Sequence, residues 1–164
     1  MRRTGLTATV VFGSLVAVIA AGCASMDKGS TQTAKLTPAE SVETRQKMMK
    51  EHGDLWKSIQ DKTKAGNITG IAPDADKLAA NAKKIPALFP PGSNVGKTAA
   101  KPEIWQKWPE FEAAAKNLET ESVKLRDTAK ANDKAGTEAL VKDFGRKACG
   151  TCHQPFRVPP PRQG

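Results

Sequence analysis

Apolar residues recur at helical spacing in four stretches of the chain, with polar or Gly/Pro-rich breaks between them. In the first stretch Val42, Met49, Trp56 and Ile59 follow an a/d-like pattern, and Met48, His52 and Leu55 flank the stripe. Thr37-Pro38-Ala39-Glu40 supplies its start: Thr37 can cap, Pro38 suits the first helical position, and Glu40 stands where a capping box needs it. Gly66 to Gly70 ends the stretch. A second helix is predicted from Pro73-Asp74, with Leu78, Ala82, Ile85 and Phe89 on its apolar face and Pro86 kinking or ending it. Pro90 to Pro102 reads as a long connection. The third pattern is the clearest, with Ile104, Phe111, Leu118 and Leu125 seven apart, as are Trp108, Ala115, Ser122 and Ala129. Pro109 lies early in it, so Pro102 to Pro109 is expected to form a separate turn. After the break at Ala131-Asn132-Asp133 a last helix starts near Lys134, buries Leu140, Phe144 and Ala148, and is expected to end near His153 or Gln154, ahead of Pro155. No strand pattern competes. These elements predict an all-α chain, an antiparallel four-helix bundle over residues 37–158, followed by a Pro-rich tail at 159–164.

The N-terminus has a different character. Residues 1–22 read as an export signal peptide: Arg2 and Arg3 begin it, an apolar run from Leu6 to Ala21 follows, and small residues close it. Ala20-Ala21-Gly22-Cys23 resembles a bacterial lipobox, although Ala20 stands where Leu is usual. Cys23 is therefore a candidate lipid anchor, with ordinary cleavage nearby as the alternative. Residues 23–36 read as a flexible tether. The domain is expected in the periplasm, free or anchored to a membrane through lipidated Cys23.

Composition narrows the possibilities further. Only 38% of the 164 residues are of hydrophobic type, so the apolar positions must be strictly patterned, and a large apolar cofactor in the core would help. The formal net charge of +9 falls to +7 once Arg2 and Arg3 leave with the leader. Lys and Arg are dispersed among Asp and Glu, which argues against nucleic acid and fits a solvated helical surface or an acidic redox partner.

The chemistry concentrates at Cys149-Gly150-Thr151-Cys152-His153. C-x-x-C-H is the attachment pattern of a c-type haem. On a helix, residues i and i+3 share a face, so Cys149 and Cys152 can add to the two vinyl groups of one porphyrin edge. His153 can turn beneath the iron as an axial ligand. Structural zinc would want further ligands, and only Cys23 and His52 are available. One covalent haem c near the end of the fourth helix is the reading. The Gly96-Lys97-Thr98 triplet lacks the upstream Gly and the strand of a phosphate-binding loop. There is no acid/base constellation, and an enzyme is not expected.

With that motif in the last helix, the chain resembles the class II cytochromes c, which include cytochrome c prime and its low-spin relatives. The resemblance spans about residues 38–157. It rests on Arg45-Gln46-x-x-Met49, Phe89-Pro-Pro-Gly92, Lys101-Pro-Glu-Ile-Trp105 and Cys149-x-x-Cys152-His153-x-x-Phe156-Arg157. It implies that Met49 faces the distal side of the haem, where a thioether completes a His153/Met49 pair and makes the protein a single-electron carrier. Met48 and His52 are rival ligands. The alternative is an iron left five-coordinate, or a displaceable Met49, in a protein that binds NO or CO. The resemblance further places Arg45 and Gln46 by the haem propionates and carries Arg157 over weakly, because Pro155 departs from the pattern. Redox protein partners are expected but unidentified, and the chain is expected as a monomer or homodimer.

Overall fold

The computed structural model describes residues 35–160. The leader at 1–22, Cys23, most of the tether and the last four residues of the tail lie outside the described residues. Among the described residues six α-helices occur in order: α1 (Pro38–Lys64), α2 (Ala72–Ala82), α3 (Glu103–Gln106), α4 (Trp108–Lys130), α5 (Lys134–Phe144) and α6 (Thr151–Phe156). Helix α1 packs on α2, α2 on α4, α4 on α5, and α5 back on α1. This closed ring of neighbours is a four-helix bundle, and no β-strand occurs among the described residues.

Local signals explain most boundaries. Thr37 and Glu40 form the full capping box: the Glu40 N–H donates to Thr37 Oγ1 at 3.2 Å, and the Thr37 N–H to Glu40 Oε2 at 2.7 Å. Asp133 caps α5 by accepting from the Gly136 N–H at 2.9 Å. The heptad stripe of α4 is the heart of the core, with Phe111, Leu118, Leu125 and Ala129 all buried. Pro102 to Pro109 does separate, into the one-turn α3 and the start of α4.

The second helix does end early, as one of the two expectations for Pro86 has it, and the last helix differs from expectation in two respects. Helix α2 stops at Ala82, ahead of Pro86, yet Ile85 and Phe89 remain buried, carried by a 3-10 turn over Pro86–Leu88. The last helix continues past Pro155 to Phe156. A proline there removes one hydrogen bond, to the Thr151 carbonyl, and both residues are exposed, so water can satisfy what is lost. Between α5 and α6 the chain winds in wide π-type turns over Gly145–Gly150, bracketed by two glycines.

One inter-helix contact carries a pH signature. Buried Asn81 on α2 donates Nδ2–H to Glu51 Oε2 on α1 at 2.7 Å, and Lys77 Nζ lies 3.5 Å from the other oxygen. The Asn81 bond, with help from Lys77, holds the Glu51 carboxyl below its ordinary 4.5. A carboxyl lowered in the folded state stabilises fully above its unfolded value and loses that contribution as pH falls through the folded one. Glu51→Gln is therefore expected to lower the melting temperature at pH 7. The difference from the parent should shrink below about pH 4.5, as read by thermal melts between pH 7 and 3. A difference constant with pH would remove this assignment.

Candidate haem site

The bundle holds a cavity of about 460 Å³ between α1 and the C-terminal helix. That volume lies within the roughly 300–1,000 Å³ range of cofactor pockets. Helix α1 contributes Met49 and Lys50 to the cavity lining, and α6 contributes Cys152, His153 and Phe156. Ile85, Phe89, Ile104 and Phe111 make the inner surface apolar. Thr98, Ala99 and Ala100 from the long connection close one side. The charged lining residues are Arg45, Lys50 and Arg157, and no carboxylate lines the cavity among the described residues. An apolar slot with cations at its margin suits a porphyrin with two propionates.

The donor set fits the same group. Cys149 and Cys152 are free thiols, both half-buried. Burial raises the Cys149 thiol, and burial together with Cys149 pushes Cys152 up to about 11, the mark of an apolar setting for both sulfurs. Cys152 lines the cavity, whereas Cys149 packs against the hydrophobic core in the wide turn. Burial, and secondarily the charge of Arg157, lowers His153, which keeps its imidazole in the neutral form that ligates metals.

Other predicted residues fall as follows. Met49 is half-buried and lines the cavity with His153. Neither rival ligand lines it: Met48 packs against the core, and His52 has a buried Nε2 without a hydrogen-bond partner. Arg45 is not a solvated helix charge but is 3% exposed, with its guanidinium turned onto the long connection. Gln46 is exposed and donates Nε2–H to the Lys97 carbonyl at 2.7 Å. Trp56 stacks on Phe144 with ring centroids 5.1 Å apart, and Trp105 donates its indole N–H to the Phe89 and Pro90 carbonyls. Neither tryptophan lines the cavity.

Residues that sequence reasoning passed over are Ser93 and Thr98, both in the connection and both accepting from Arg45. Their setting is a tight turn in which the Ser93 N–H donates to Pro90 O at 3.1 Å and Gly92 takes φ +79°. A positive φ after proline is the type II pattern that favours glycine. One signal was legible: Arg45 falls on the stripe of Val42 and Met49, at i+3 and i−4, where a buried side chain is expected.

Comparison with known proteins agrees with this site. The profile of the cytochrome C' family matches residues 40–157. A cytochrome c-556 of Agrobacterium fabrum is 32% identical over 166 residues, which cover 96% of this chain and 97% of that protein. The crystal structure of cytochrome c' from Thermochromatium tepidum superposes with a TM-score of 0.70 at 31% identity, covering 77% of this chain and all of that one. A nitric oxide complex of a cytochrome c prime variant from Alcaligenes xylosoxidans gives a TM-score of 0.66 at 25% identity, over 75% of this chain and 98% of that one. The protein belongs to the cytochrome c' family, the class II cytochromes c with a four-helix bundle. Its cofactor is one covalent haem c. Within that family the comparisons support the gas-binding alternative better than the fixed His153/Met49 electron carrier expected first.

Proposed function

We propose that this is a periplasmic monohaem protein of the cytochrome c' type whose distal pocket takes up a small diatomic ligand such as NO or CO. In this reading Cys149 and Cys152 hold the porphyrin through thioether bonds, and His153 is the axial ligand that the protein supplies. In this reading Met49 stands on the distal side as a thioether that the gas ligand displaces. When bound, the haem supplies an iron that exchanges single electrons and binds diatomic gases. The observation that carries the proposal is the apolar cavity itself, which both His153 and Met49 line. Ile85, Phe89 and Phe111 give the cavity an apolar lining, and the thioether of Met49 sits on a flexible, unbranched side chain that can move aside. The nitric oxide complex of a related fold supports the choice of ligand.

A second reading keeps Met49 on the iron in both oxidation states, giving an outer-sphere electron carrier for an acidic redox partner. It is favoured by Met49 being the one methionine lining the cavity among the described residues. Visible spectra of the ferrous protein with and without CO, for the parent and for Met49→Ala, separate the two. The proposal expects CO uptake by the parent and association about tenfold faster or more in Met49→Ala, the signature of a competing thioether worth at least about 1.4 kcal/mol. A parent that stays low-spin and inert to CO, beside a CO-reactive Met49→Ala, would replace the proposal with the electron-carrier reading.

A further inference from the structure

Arg45 is a buried cation without a carboxylate partner among the described residues. Its four terminal N–H groups are all engaged. Nη1 donates to Leu88 O at 3.2 Å and Ser93 Oγ at 3.0 Å; Nη2 donates to Ser93 O at 2.8 Å and Thr98 Oγ1 at 3.0 Å. The guanidinium carbon lies 4.5 Å from the centroid of the Phe89 ring. Of the five guanidinium donors only Nε–H remains, so Arg45 cannot offer a two-pronged grip to a propionate without releasing the connection.

The contacts continue beyond Thr98. Its Oγ1 also accepts from the Ala100 N–H at 3.2 Å. The adjoining backbone pairs with the chain after His153: the Val158 N–H donates to Ala99 O at 2.8 Å, and the Lys101 N–H to Phe156 O at 3.0 Å. Between them, Ala100 and Arg157 form an antiparallel bridge. The Arg157 N–H in turn donates to the His153 carbonyl at 3.1 Å. Met49 lies one turn along α1 from Arg45, so one continuous set of bonds ties the Met49 helix to the His153 segment around the side of the cavity.

We propose that Arg45 is a positioning residue that clamps the 88–98 connection shut and, through the Ala99–Lys101 ribbon, seats the segment following His153, thereby limiting ligand access to the cavity. The access consequence rests on the gas-ligand reading above; the seating consequence does not. The test uses the full-length holoprotein and the variants Arg45→Lys, Arg45→Gln and Ser93→Ala. Amide hydrogen exchange at Lys101 and Val158 is compared with Leu125 in the α4 core, alongside CO association. Lysine keeps the charge but not the planar fork. Both Arg45 variants should therefore exchange Lys101 and Val158 about tenfold faster or more while Leu125 is unchanged, and CO should associate faster. Ser93→Ala should act in the same direction and less, and it decides the matter alone if the Arg45 variants do not fold. Unchanged exchange at Lys101 and Val158 would overturn the proposal. So would Arg45→Lys behaving as the parent, which would make charge the relevant property, or uniform acceleration that includes Leu125. A parent inert to CO would remove the gas-ligand reading, and the exchange data would still decide the clamp.

Discussion

The double variant Cys149→Ala, Cys152→Ala is expected to be recovered without covalently bound tetrapyrrole and with its cooperative melt abolished or severely weakened. The thiols are the only described cysteines, so no other side chain there can form the thioether bonds. The structural consequence follows from the space left behind. Without the porphyrin that space has no apolar filling: Ile85, Phe89, Ile104 and Phe111 line it, and their packing against the cofactor is lost, at a cost that grows with the volume left empty. Helical circular dichroism should persist longer than fixed tertiary packing, as in a molten globule. Intact mass under denaturing conditions and near-ultraviolet dichroism are the two measurements. A variant that keeps its covalent mass increment, or that melts like the parent while colourless, would refute the assignment of these thiols or of the cofactor as part of the core.

Phe111→Ala is expected to cost about 3–5 kcal/mol of folding stability. Phe111 is 1% exposed and is the hub of the aromatic cluster. It meets Phe89 edge-on at 4.7 Å, Phe156 at 5.5 Å with an interplanar angle of 89°, and Trp108 at 5.5 Å. Each such pair adds about 0.5–1.5 kcal/mol beyond simple burial. The cluster joins α4 to α6 and to the chain after α2, so its loss loosens three elements together. Phe111 also faces the cavity, and the visible spectrum of the holoprotein should broaden in the same variant. Urea unfolding should show a lower midpoint with an unchanged slope. A loss below about 1 kcal/mol would mean that the hub lies elsewhere in the bundle.

How much of this was legible in the sequence depends on the range of the interaction. Helix α1 announced itself through Thr37, Pro38 and Glu40, because a capping box is closed within four residues. The heptads of α4 did the same, since one face of one helix is enough to display them. The haem motif proposed at Cys149-x-x-Cys152-His153 is legible for a similar reason: thioether attachment needs two thiols a turn apart and an imidazole beside them. By contrast, Ile85 and Phe89 were assigned to a helix that ends at Ala82. Their spacing reported burial correctly, but burial does not require helical backbone, and Pro86 permitted a 3-10 turn instead.

What the amino-acid sequence determined by itself was the set of helices, the stripe that forms the core and the place where haem is attached, all of them products of short-range periodicity or spacing. Tertiary structure alone decided which groups the Arg45 guanidinium meets, those of Leu88, Ser93 and Thr98, and that the chain after His153 pairs with Ala99 and Lys101. Those bonds join residues some 43 to 59 positions apart, and most of them end on backbone groups, which every residue has. A backbone carbonyl leaves no mark in a sequence, so its partner becomes known only when the fold brings the two together.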